Sequence, residues 1–166
     1  MFKKLSSLFV LAALAFVAGC GDDDNPVHSH EEEHAEAFGF VMLNSGVAIV
    51  TQSEGKLEGE IDVGLEKETP LLQIRFLNEE GEKFTPHAED GYSLGWQVTD
   101  TSIAKVDWHE GDGDWAFHIV GEGVGKTTIT IKINHGGHSD FVSLPFEIHV
   151  TEDGPGEGHD HDHEGE

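Results

Sequence analysis

Thr127-Thr128-Ile129-Thr130-Ile131-Lys132-Ile133, followed by Phe146-Glu147-Ile148-His149-Val150, sets the architecture of this chain. Successive side chains of an extended chain point to opposite faces, so Ile129, Ile131 and Ile133 share one face and Thr128, Thr130 and Lys132 the other. Phe146, Ile148 and Val150 repeat the pattern, leaving Glu147 and His149 outward. Working outward, further runs read as strands at 39–43, 47–52, 56–63, 71–77, 94–99, 103–108, 115–120, 127–133 and 141–150. Turn chemistry separates several of them, at Asn44-Ser45-Gly46, Asn78-Glu79-Glu80-Gly81 and Gly111-Asp112-Gly113-Asp114. No window sustains an apolar period of 3.6 residues. Many short strands at near-regular spacing predict an all-β fold, an antiparallel sandwich or barrel, over residues 37–150. Whether 37–86 completes that sandwich or packs beside it as a small sheet is left open by periodicity.

The flanks differ in kind. Residues 20–36 and 151–166 are acidic and His-rich, with few apolar side chains, so both are expected to be disordered tails. Gly154-Pro155-Gly156 reads as a structure breaker. The whole chain of 166 residues carries 9 Lys and Arg against 33 Asp and Glu, a net charge of −24. Such a polyanion is repelled by nucleic acid and by anionic lipid. The two tails hold 14 of the acids and no Lys or Arg, so most of the excess belongs to the arms rather than to the fold. A length of this order fits one domain plus tails.

Lys3 and Lys4 precede an apolar run from Leu5 to Ala18, which is short for a bilayer core of about 30 Å and reads as a secretory leader. Val17-Ala18-Gly19-Cys20 resembles the lipobox of bacterial lipoproteins. That resemblance implies that 1–19 is a cleaved signal peptide and that Cys20, the only cysteine, is diacylated and becomes the first residue of the mature protein. Gly21 stands where aspartate usually retains such proteins at the inner membrane, so the resemblance favours the outer membrane. Asp22, Asp23 and Asp24 are similar to a surface-export signal, or are a solvated spacer. The implied location is the cell envelope, with the membrane as a partner through the lipid.

Gly95-Trp96-Gln97-Val98-Thr99-Asp100 leads into Ser102-Ile103-Ala104-Lys105-Val106, and later Val120-Gly121-Glu122-Gly123-Val124-Gly125-Lys126-Thr127-Thr128-Ile129 follows. Over 92–150 this is similar to the bacterial Ig-like domain of the group-two type. The resemblance implies an Ig-like β-sandwich with Trp96 filling the inter-sheet space. Gly121, Gly123 and Gly125 would supply the positive φ angles of a tight connection. Residues 108–115, acidic and aromatic, and 136–140, which interrupt a plain hairpin, depart from that pattern.

Histidine carries the chemical signal. Twelve occur, three in each tail and six between them. His28, His30 and His34 lie among glutamates, and His159, His161 and His163 alternate with acids. Neutral imidazole with neighbouring carboxylate suits borderline divalent ions, zinc above all, although a merely solubilising tail has the same composition. In Asn134-His135-Gly136-Gly137-His138-Ser139-Asp140, two imidazoles and a carboxylate can converge on one ion, completed by His87, Glu89 or His109. The competing reading is a polar turn. His118 and His149 read as half-buried strand residues. Asp112-Gly113-Asp114 with Asp107 and Glu110 is only a fragment of a calcium loop and suits a hairpin turn better. No phosphate loop, nucleophile elbow or zinc-protease motif occurs, so no enzyme is expected. The expected function is a lipid-anchored envelope protein that binds a divalent transition metal for sequestration or handover. The alternative is an Ig-like structural or adhesive module that binds a protein or glycan.

Overall fold

A computed structural model describes residues 35–109 and 111–158. Among the described residues fourteen strands are formed: β1 (Gly39–Asn44), β2 (Val47–Ser53), β3 (Lys56–Gly59), β4 (Ile61–Gly64), β5 (Lys67–Glu68), β6 (Leu72–Leu77), β7 (Lys83–Phe84), β8 (Ser93–Val98), β9 (Ala104–Asp107), β10 (Ala116–Gly121), β11 (Gly125–His135), β12 (His138–Val142), β13 (Phe146–Thr151) and β14 (Glu157–Gly158). One 3-10 turn, Ala88–Asp90, precedes β8. The first sheet runs β14-β5-β10-β6-β1-β2-β3, with β7 on β6 and β9 on β10. The second runs β12-β11-β13-β4, with β8 on the other side of β11. The fold is therefore the expected all-β sandwich, and residues 37–86 complete it rather than packing beside it.

The core lies between the sheets. Phe40, Met42, Ile74, Phe76, Phe117 and Ile119 face inward from the first, and Ile61, Val63, Ile129, Ile131, Ile133, Phe146, Ile148 and Val150 from the second. Each such side chain contributes about 1.5–3 kcal/mol on leaving water. Aromatic pairs join the layers, Phe40 to Phe146 at 5.4 Å and Phe76 to Phe141 at 5.6 Å between ring centroids. Trp96 does not fill the inter-sheet space. It is 39% exposed, and its ring covers Phe117 from the rim at 5.8 Å. Among the described residues β8 pairs with β11 alone, so the indole caps an edge while phenylalanines occupy the centre.

Two expected strands are each divided. The run 56–63 breaks after Gly59, whose φ of +93° disfavours a side chain and where an added Cβ would meet the Ile49 carbonyl oxygen at 2.0 Å. β3 stays with β2, whereas β4 crosses to the second sheet and pairs with β13 in parallel, so the sandwich is not wholly antiparallel. The run 141–150 is split by Leu144-Pro145, since proline cannot donate to a ladder. Ser143 bridges the gap: its N–H donates to Ile131 O, and its Oγ accepts from Ile131 N, both at 2.9 Å. Thr69, next to Pro70, repeats the device in the first sheet, with its N–H on Ile119 O at 2.9 Å and its Oγ1 accepting from Ile119 N at 3.0 Å.

Three further expectations are corrected. Gly125 has the positive φ, +152°, but Gly121 and Gly123 are glycine because of close approach, a Cβ there meeting the Gly64 and Ser102 carbonyl oxygens at 2.3 and 2.7 Å. Gly136 and Gly137 do not interrupt a hairpin but form its two-residue turn. Finally, residues 151–158 are not a tail: Gly64 N–H donates to Pro155 O at 2.7 Å, and β14 pairs with β5. The glycines read as breakers permit this, because Gly154 and Gly156 lie against the Val63 and Glu68 carbonyls with no room for a Cβ.

Candidate metal centre

The β11–β12 hairpin builds the first group. Gly136 and Gly137 both have positive φ, +55° and +88°, as a two-residue type I′ turn requires. That turn sets His135 directly opposite His138. Between the pairs Ile133↔Phe141 and Asn134↔Ser139 the register slips by one, which makes Asp140 the extra residue of a β-bulge. Bulges re-aim side chains. Here the Asp140 carboxylate is wholly buried, with Oδ1 2.7 Å from His138 Nε2 and Oδ2 3.8 Å from His135 Nδ1.

Around this group the fold holds each part. Asp140 Oδ2 accepts the Ala35 N–H at 2.9 Å. Tyr92, delivered by the turn that ends at Gly91, stacks on the His135 ring at 4.2 Å. Ser139 Oγ donates to Asn134 Oδ1 at 2.8 Å across the turn. His135 Nδ1 is buried and makes no hydrogen bond with any described residue. A tetrahedral ion with ligand bonds of about 2.0–2.1 Å needs donor atoms about 3.3 Å apart, and 2.7 and 3.8 Å bracket that spacing. One donor from each of the three residues lies within 4.8 Å of the others. His138 is 40% exposed, which leaves one side of the group towards solvent.

His87 and His109 do not join it. His87 lines a shallow cleft of about 400 Å³ with Pro86, Glu89, Asp114 and Trp115. His109 belongs to a second group with Glu68 and His118, two residues that sequence patterning did not single out as ligands. Glu68 Oε1 lies 2.9 Å from His118 Nδ1 and 3.9 Å from His109 Nε2. His118 is half-buried on its strand as expected, and so is His149, which faces Asp62 at 3.6 Å. The pairing of Val120 with Glu68 brings β5 to β10, a contact between residues about fifty apart that local patterning does not reveal. Asp112 is a turn residue, its Oδ2 accepting the His109 N–H at 2.7 Å. It forms no calcium-type group with Asp107 and Asp114 among the described residues. Cys20, Glu110 and the tail histidines His28, His30, His34, His159, His161 and His163 lie outside the described residues.

No family model matches the sequence, and no curated protein matches it. Among solved structures it is similar to domains 5-6 of the S-layer protein SbsC, with 21% identity, a TM-score of 0.39, and 58% of this chain covered. The match spans 41% of that structure's own length. Domains 4 and 5 of the same S-layer protein match at 16% identity and a TM-score of 0.36, over 67% of this chain and 74% of that one.

Proposed function

We propose that this chain is a lipid-anchored cell-envelope module that binds a divalent transition metal, zinc by preference, through His135, His138 and Asp140. The observation that carries the reading is the buried Asp140 carboxylate between two imidazoles, one of which has an orphaned buried nitrogen. Burying a carboxylate is costly unless a cation or donors compensate it, and a bound ion would serve both Asp140 and His135 Nδ1. Two imidazoles and a carboxylate, with one open side, match the ligand preference of zinc. The lipobox-like Val17-Ala18-Gly19-Cys20 supports an acyl anchor at Cys20, in the outer membrane by the residue that follows it. On this reading the His-rich arms gather ions near the surface, and the module sequesters them or hands them on without catalysis.

Calorimetric titration of the full chain with zinc tests this. The intact protein is expected to bind zinc near neutral pH, and His135→Ala/His138→Ala to lose one site while its circular dichroism is unchanged. An intact protein that binds no zinc would overturn the reading. A protein or glycan partner recovered equally with and without chelator would favour the adhesive alternative.

A further inference from the structure

The geometry points to a structural ion that fastens β5 to β10, held by the Thr69 carbonyl oxygen together with Glu68, His109 and His118. The ion belongs to the first sheet, whereas the hairpin centre belongs to the second, and neither needs the other to be occupied.

The ring proton of His118 marks the place of the ion. A carbonyl oxygen can only accept, so the 2.8 Å contact between His118 Nδ1 and Thr69 O puts the proton on Nδ1. Glu68 Oε1 lies 2.9 Å from the same nitrogen, so two oxygens converge on one proton. His109 Nε2 stands 3.9 Å from Glu68 Oε1, and one donor from each of the three side chains lies within 4.8 Å of the others. Separations of 2.8, 2.9 and 3.9 Å bracket the donor spacing of a tetrahedral ion, about 3.3 Å. An ion in the proton's place meets an imidazole, a carboxylate and a carbonyl, with the second imidazole in reach. All four donor residues line one cleft of about 430 Å³, which admits ions from solvent.

Each donor is held by the fold. Thr69 is fixed on both sides, its N–H on Ile119 O at 2.9 Å and its Oγ1 accepting from Ile119 N at 3.0 Å, so its carbonyl cannot swing away. The His109 backbone is locked to Asp112, its N–H donating to Oδ2 at 2.7 Å and its carbonyl accepting the Asp112 N–H at 2.9 Å. Asp112 Oδ1 lies 3.6 Å from His118 Nε2, the ring nitrogen that the ion would leave free. That is the place of the outer carboxylate which orients a ligating imidazole.

Charge favours a dication over a proton. The side chains of Glu68 and Asp112 flank the His118 ring, and all three are largely shut from solvent. One imidazolium balances one of these carboxylates; a dication on the neutral ring balances both. β14 adds Glu157 directly opposite Glu68, and like charges so placed repel. The neighbouring Lys67 donates instead to the Gly154 carbonyl at 2.8 Å. A mixed imidazole and oxygen donor set suits a borderline divalent cation, zinc first. Its role follows from the strands it joins: β5 has two residues and meets β10 through the single pair Glu68 and Val120.

The test adds zinc to the full chain and follows it by NMR. The ring nitrogens of His109 and His118 and the carbonyl carbon of Thr69 are expected to shift together. The Glu66 and Thr69 amides, which donate to Gly121 and Ile119 on β10, are expected to exchange with solvent more than about tenfold more slowly at saturation. Glu68→Gln keeps the size of the side chain, and His109→Ala changes an exposed position; each is expected to weaken the His118 response by more than about tenfold. His118 signals that zinc leaves unmoved would overturn the site, an imidazolium then holding the place between the carboxylates. A Thr69 carbon that stays still while His118 shifts would overturn the carbonyl ligand, and unchanged amide exchange would overturn the fastening of β5. The His135 and His138 signals, read in the same spectra, report the hairpin centre independently.

Discussion

At the scale of single residues, charge is managed by short local contacts. Asp100 accepts hydrogen bonds from the Ser102 hydroxyl at 2.6 Å and the Ser102 N–H at 3.0 Å, and these hold its carboxyl below the usual carboxylate range. A depressed folded value means that the contact stabilises the fold above the unfolded carboxylate pKa and is lost as pH falls through the lowered one. Ser102→Ala is expected to move the Asp100 titration up towards the ordinary range, read from the carboxyl carbon by NMR. An unchanged titration would show that the backbone N–H alone sets it. Lys126 and Glu147 act on each other likewise, their hydrogen bond raising the lysine and lowering the glutamate. Both are exposed, so the pair adds little to stability.

At the scale of elements, the two hydroxyl bridges deserve equal weight because each serves a central strand. Thr69→Val keeps shape but leaves the Ile119 N–H without its acceptor, and Ser143→Ala does the same to Ile131. Each substitution is expected to cost about 1–3 kcal/mol, measured by urea unfolding. A loss near zero for both would mean that water replaces the hydroxyls. What could be foreseen followed the range of the interactions. The isoleucines of β11 and the alternation in β13 are local patterns, and so is the His135-Gly-Gly-His138 turn, whose opposed imidazoles follow from turn geometry. Glu68 with His118 depends on pairing distant segments, and no periodicity encodes a register. The crossing of β4 hid for a different reason: Gly59 sits inside an apparently continuous run, and its meaning is the nearness of Ile49. Gly154-Pro155-Gly156 was equally ambiguous, since small residues mark both a broken chain and a close-packed one.

At the scale of the whole molecule, net repulsion opposes the fold. Residues 37–150 carry 7 basic and 19 acidic side chains, and ion pairs such as Lys105–Glu122 are at the surface. Screening should therefore stabilise this protein rather than weaken it. In the presence of chelator, Tm is expected to rise between about 0.01 and 1 M NaCl, as the Debye length falls from about 30 to 3 Å. A falling Tm would show that attractive pairs dominate. The parallel pairing of β4 with β13 has a consequence for the order of events in folding. Residues 61–64 find their place in the second sheet only against 148–151, and Lys67–Glu68 gain an edge partner only in 157–158. Ala35 likewise waits for Asp140. Contacts that join such distant segments must close long loops before they are rewarded, which slows folding. Residues 35–68 thus have no finished hydrophobic interior until the strands that follow residue 115 are in place, so the two layers close together rather than one after the other.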